Sequence, residues 1–167
     1  DRSVFPYVDS KTGDRLDVSR LDQWGIVLEH ASNKGLFLHF KTQETENETL
    51  LDGGNTGPQR KLYYRELIAR FGHHPALNWN MGEENGNWRK KGKHQSNQQR
   101  LAMARYVKAT DPYDHPIVIH NGQWFDDLYG QGSPYSGASL QTNKPDFSQV
   151  HDKTLRVLRE SAANGKI

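Results

Sequence analysis

The feature that most constrains this chain is a recurrence: a stretch with helical periodicity, then a short apolar run. The apolar runs begin near residues 36, 76, 116 and 138. Leu16 to Lys34 places Leu21, Trp24, Ile26, Val27, Leu28 and Ala31 at roughly helical spacing. Asp17 or Ser19 suits its N-cap, and Gly35 suits its end. Leu36 to Phe40 reads as a buried strand. It leads into the polar run Lys41 to Glu48 and a loop holding Gly53-Gly54 and Gly57-Pro58. A second helix is predicted over 58–71, with Pro58 in its first turn, an apolar stripe of Leu62, Tyr63, Leu67, Ile68 and Phe71, and Gly72 as its stop. Ala76 to Met81 is the second strand. A third helix over 96–109 is broken by Asp111-Pro112. Pro116 to His120 is the third strand, Ala138 to Gln141 a short fourth, and 147–163 the last helix.

Strands alternating with helices require crossover connections, hence a parallel sheet of the α/β class. A closed eight-unit barrel takes about 250 residues, and 167 residues hold about four units. The chain also opens on a helix and closes at Lys166-Ile167, where another strand is due. The expectation is therefore a partial (β/α)8 barrel, with residues 1–167 as a single partial domain, the middle slice of a larger one. The rival is a complete, four-stranded, doubly wound sheet.

Several function classes drop out on composition. The longest apolar runs, such as Ile117-Val118-Ile119, are far short of the roughly 20 residues of a membrane span. Cysteine is absent, which removes disulfides, a thiol nucleophile and thiolate metal sites. Lys and Arg number 22 against 20 Asp and Glu, a net charge of +2 that leaves no nucleic-acid footprint. The one basic cluster, Arg89 to Lys93 beside Trp88, reads as a solvated loop; an anionic polymer is its alternative. Asp1-Arg2-Ser3 lacks an apolar leader region, and the compartment stays open. His73-His74-Pro75 falls at a strand start with no HExxH spacing, so neither metal nor cofactor is expected.

In parallel α/β folds ligands sit beyond the carboxyl ends of the strands. Those ends carry His39, Lys41, Gln43 and Glu44; then Asn80, Glu83 and Glu84; then His120 and Asn121 with Trp124 nearby; then Gln141. Amides, carboxylates, imidazoles and an indole on one rim suit a polyhydroxylated ligand, because they bond hydroxyls while Trp covers a sugar face. Lys41 and Gln43 suit an anionic substituent such as sulfate or uronate, or pairing with Glu44 or Glu46. The sharpest element is Trp79-Asn80-Met81-Gly82-Glu83-Glu84-Asn85. A half-enclosed carboxylic acid there can deliver a proton. Adjacent residues on extended backbone point to opposite sides, so Glu83 and Glu84 do not make a catalytic pair. A second carboxylate must come from another strand. The alternative is that both are ordinary loop charges.

Trp79-x-x-Gly82-x-Glu84 at a strand end resembles the Trp-x-x-Gly-Asn-Glu pattern of clan A retaining glycoside hydrolases. Residues 21–24, 39–47, 60–72 and 79–85 also resemble a bacterial group assigned as glycoside hydrolases. Members of that group carry an N-terminal β-sandwich domain of unknown function and often a C-terminal domain assigned to collagen binding. The similarity spans nearly the whole chain and is weakest at 86–96 and 122–137. It implies that the four strands are strands three to six of the barrel and that Glu84 is the general acid/base. The nucleophile, a glutamate after strand seven, would lie beyond Ile167. Glu83 stands where the clan has an asparagine that bonds the sugar 2-hydroxyl, so that contact is altered. The implied partners are a carbohydrate polymer or oligosaccharide, with the remainder of the barrel and flanking β-sandwich domains in the parent chain. The family habit is export. A fragment lacking the nucleophile would be inert, and a non-catalytic carbohydrate-binding or degenerate barrel is the competing reading.

Overall fold

The structure is a computed structural model that describes residues 4–9, 11–85, 94–121, 126–142 and 147–163. Trp88, Arg89 to Lys93 and Trp124 lie outside the described residues. Helix α1 spans Val18–Asn33. Of the two candidate caps, Asp17 does the work: its backbone is extended and its carboxylate accepts the Arg20 N–H. Gly35 follows the helix in the left-handed region, at φ 73°, and the Leu36 N–H returns to the Ala31 carbonyl. This closing turn consumes residues the sequence assigns to a strand. Strand β1 is therefore Leu38–Lys41, and Leu36 and Phe37 are 57% and 60% exposed rather than buried. Ile26 and Val27 are likewise exposed. The face that α1 turns inward is Leu21 with Trp24, Leu28 and Ala31.

Helix α2 is Pro58–Phe71, with Pro58 in the opening turn, where its missing N–H costs nothing. Strand β2, Leu77–Glu83, runs two residues past the predicted end. Helix α3, Asn97–Thr110, starts with a capping box in which Ser96 and Gln99 bond each other's backbone N–H groups. Strands β3 and β4 are Ile117–Asn121 and Gly137–Leu140, and helix α4 is Val150–Ala163. Among the described residues no helix is long and apolar enough to cross a membrane.

All four strands are parallel, in the order β1-β2-β3-β4. A doubly wound sheet reverses its strand order at a switch point; among the described residues this sheet keeps one direction, the order of consecutive barrel strands. Period-two alternation splits the sheet into two unlike faces. Leu38, Phe40, Leu77, Trp79, Met81, Ile117 and Ile119 share an apolar core with Leu67 and Phe71 of α2 and Met103 and Val107 of α3. Trp79 anchors it: the Phe40 ring centroid lies 5.4 Å away, and Phe40 in turn stacks on Phe71 at 5.7 Å. Burying a side chain of that kind contributes roughly 2–3 kcal/mol. The other face is polar. The register sets His39 beside Asn78, Lys41 beside Asn80, Asn80 beside Val118, and His120 beside Ser139.

Candidate active site

The end of β2 departs from regular strand geometry in three consecutive steps. The register passes from Asn80 opposite Val118 to Glu83 opposite His120, so three steps on β2 match two on β3. That extra residue is a bulge, and it moves Glu83 onto the face Asn80 already occupies. Gly82 permits it: a Cβ there would sit 2.2 Å from Asn85 Nδ2. Its N–H bonds the Asn80 side-chain oxygen at 3.1 Å. Glu84 then takes the left-handed region at φ 51°, with its N–H on the His120 carbonyl at 3.0 Å. Non-glycine residues rarely adopt this conformation, and it costs about 1 kcal/mol or more.

The two glutamates therefore diverge, though not through the extended backbone the sequence assumed. Glu83 reaches toward β1 and pairs with Lys41. Glu84, half-buried, reaches across β3 to the end of β4, where Gln141 Nε2 donates to its Oε1 at 2.5 Å.

An open cavity of about 500 Å³ lies over the polar face. It is lined by His39, Lys41, Asn80, Glu83, His120 and Ser139. The Asn80 amide meets His39 Nε2 at 2.9 Å, and His120 Nδ1 meets the Ser139 hydroxyl at 2.9 Å. Burial, then the neighbouring His39 and Lys41, hold the His120 pKa below its usual value, while Glu84 pulls the other way. His120 is thus neutral at pH 7 and can accept or donate a hydrogen bond. Lys41 bonds Glu44 at 2.8 Å as well as Glu83, so its charge is shared between two carboxylates.

Of the residues singled out in the sequence, the structure brings His39, Lys41, Asn80, Glu83 and His120 to one cavity, with Glu84 and Gln141 joined at its β4 side. Gln43 and Asn121 are buried elsewhere. Gln43 bonds Gln95 at 2.6 Å and receives Arg60, whose guanidinium also donates to the carbonyls of Asn55, Glu48 and Leu51. Asn121 donates to the Asn85 carbonyl at 2.7 Å. This layer fastens the loop between β1 and α2 under the strand ends. Ser139 went unnoticed in the sequence. Its signal was the alternation in β4, where Ala138 packs on the core and its neighbour must face the other way.

A second hollow, of about 430 Å³, lies between α1 and β1. Its walls are chiefly apolar, with Trp24, Val27, Leu28, Phe37, Leu38 and Phe40. His39 and Lys41 line both hollows, but only the strand-end one adds Asn80, Glu83, His120 and Ser139 to them.

No family model matches the chain, and no curated protein matches it. Solved structures do. A protein of Bacteroides vulgatus described as a candidate glycoside hydrolase superposes with a TM-score of 0.65 at 19% identity, over 87% of this chain and 28% of its own. A family 5 glycoside hydrolase of the same organism gives a TM-score of 0.53 at 16% identity, over 86% of this chain and 32% of its own. The chain therefore spans about a third or less of the proteins it matches. The shared fold is that of a partial (β/α)8 barrel, four parallel strands in one sheet, as in glycoside hydrolase chains.

Proposed function

We propose that this chain is part of a retaining glycoside hydrolase and that Glu84 is its general acid/base. One observation carries the reading: a carboxylate at the carboxyl end of a barrel strand, turned by left-handed backbone and steadied by Gln141, beside a cavity lined with hydroxyl-bonding groups. The likeness of fold to glycoside hydrolases supports it.

In this mechanism Glu84 gives its proton to the glycosidic oxygen as the bond to the anomeric carbon breaks. A second carboxylate forms a glycosyl ester on that carbon. Glu84, now ionised, takes a proton from water, which attacks the same carbon and releases the carboxylate. Retention needs the two carboxyl groups about 5–5.5 Å apart. Glu83 is engaged with Lys41 on the other side. The second carboxylate is therefore placed on a further strand beside β4, whose outer edge pairs with no strand among the described residues. His39, Asn80 and His120 orient sugar hydroxyls. The substrate is a polysaccharide or an oligosaccharide derived from one.

The test is Glu84→Gln in a chain carrying the complete barrel, assayed on aryl glycosides and on polysaccharides. Turnover falls about 10²–10⁴-fold while sugar affinity is kept. Undiminished turnover refutes the acid assignment; sugar affinity without turnover in the unmutated protein leaves a carbohydrate-binding protein.

A further inference from the structure

At the opposite end of the sheet, a cluster of side chains stands outside this site. The last turns of α1 carry Glu29 and Ser32, three residues apart and so on one face of the helix. The connection from α2 to β2 carries His73 and His74. One carboxylate oxygen of Glu29 and one ring nitrogen of each histidine lie within 4.8 Å of one another. His73 Nε2 is 2.7 Å from Glu29 Oε1.

His74 is the informative member. It is 2% exposed, and its carbonyl receives His115 Nε2 at 3.0 Å. Its Nδ1 sits 2.8 Å from the Ser32 hydroxyl, yet its Nε2 is buried with no hydrogen-bond partner. Either tautomer leaves a buried ring nitrogen unsatisfied, and such groups call for an explanation. A simple ion pair between His73 and Glu29 accounts for two of the three groups. A cation bound by Glu29, His73 and the unpaired His74 Nε2 would account for all three.

We propose that Glu29, His73 and His74 form a binding site for a divalent transition metal, with zinc the fitting ion, that clamps α1 to the foot of β2. Two imidazoles and one carboxylate suit zinc, with water completing the tetrahedron. Zinc draws its ligands to about 2.0–2.2 Å, so the donors must close in from their present spacing. Glu29 and His73 are about half exposed and can do so against the fixed, buried His74. Ser32 is the outer partner that holds the His74 ring. The site is independent of the proposed hydrolysis.

Zinc titrated into the chain in a calorimeter tests it, with Co²⁺ absorption and Tm as further readouts. The expected result is one tight equivalent, a Tm that rises with zinc but not with magnesium, and tetrahedral Co²⁺ bands. Glu29→Gln and His73→Ala each weaken zinc by about ten-fold or more. Both residues are exposed, so neither variant disturbs the core. The double variant retains seven of the eight histidines and reports background binding. Equal zinc uptake by wild type and double variant, or no tight uptake at all, overturns the proposal.

Discussion

At the foot of the sheet, Asp111 is buried and accepts from Trp79 Nε1, His115 Nδ1 and the backbone N–H groups of Tyr113 and His115, at 2.9–3.1 Å. Burial alone would raise its pKa; the bonds from Trp79, Tyr113 and His115 outweigh that and lower it. At the other end of the same sheet, Glu84 is half-buried on strained backbone, and its neighbours line an open cavity. Both carboxylates lie near β2, yet one is enclosed by four donors and the other is bonded by Gln141 next to residues that line an open cavity. The donors around Asp111 close on the protein and hold the fold. Those at the strand ends bond one another around an open cavity, in the place where ligands sit in parallel α/β folds.

The comparison can be broken most readily at its extremes. Glu84→Gln, at the open end, should leave urea unfolding nearly unchanged despite its large effect on turnover. Asp111→Ala, at the closed end, should cost roughly 3 kcal/mol, because it strands buried donors. Chemical denaturation measures it, and a loss below about 1 kcal/mol would mean that the foot is not the stabilising end. Gly82→Ala tests whether the open end has a structural element of its own. The added Cβ meets Asn85, so stability should fall by about 2 kcal/mol and the Glu84–Gln141 bond should shift. His39→Ala should weaken sugar binding about ten-fold while Tm stays within about a degree or two, since this side chain is exposed.

The smallest effect is in the pH dependence of stability. His74 and His120, one at each end, both have lowered pKa values in the folded chain. As pH falls below about 6.5 the unfolded chain takes up protons that the folded chain refuses. Stability should therefore decline from about pH 6.5 downward and stay flat, for these groups, above about pH 7. His120→Gln should remove the open end's share of that decline. An unchanged slope would locate the effect at the foot.

Much of the architecture was legible because burial imposes a period. Leu62, Tyr63, Leu67, Ile68 and Phe71 marked α2, and Pro58 and Ser96 marked helix starts that the backbone uses as read. The Trp79–Glu84 stretch pointed to a strand end rich in chemistry. Period alone could not show where a turn takes residues from a strand, so Leu36 and Phe37 were misplaced. It could not show the bulge at Asn80–Glu83, which depends on Gly82 and Asn85 meeting in space. Nor could it separate polar residues that face a cavity from those that fasten a loop. Gln43 and Lys41 are two residues apart, yet Gln43 is drawn inward by the buried Arg60, and that pairing is visible only once α2 is docked. The cluster of Glu29 with His73 and His74 joins residues more than 40 positions apart for the same reason.

The left-handed bend at Glu84 also bears on how this position evolves. Glycine and asparagine relax there more readily than glutamate does, so drift without selection for chemistry would favour them. Under the role proposed for Glu84, a glutamate retained at this bend among descendants of a common ancestor would mark the lineages that use its proton, and a glycine or asparagine those that do not.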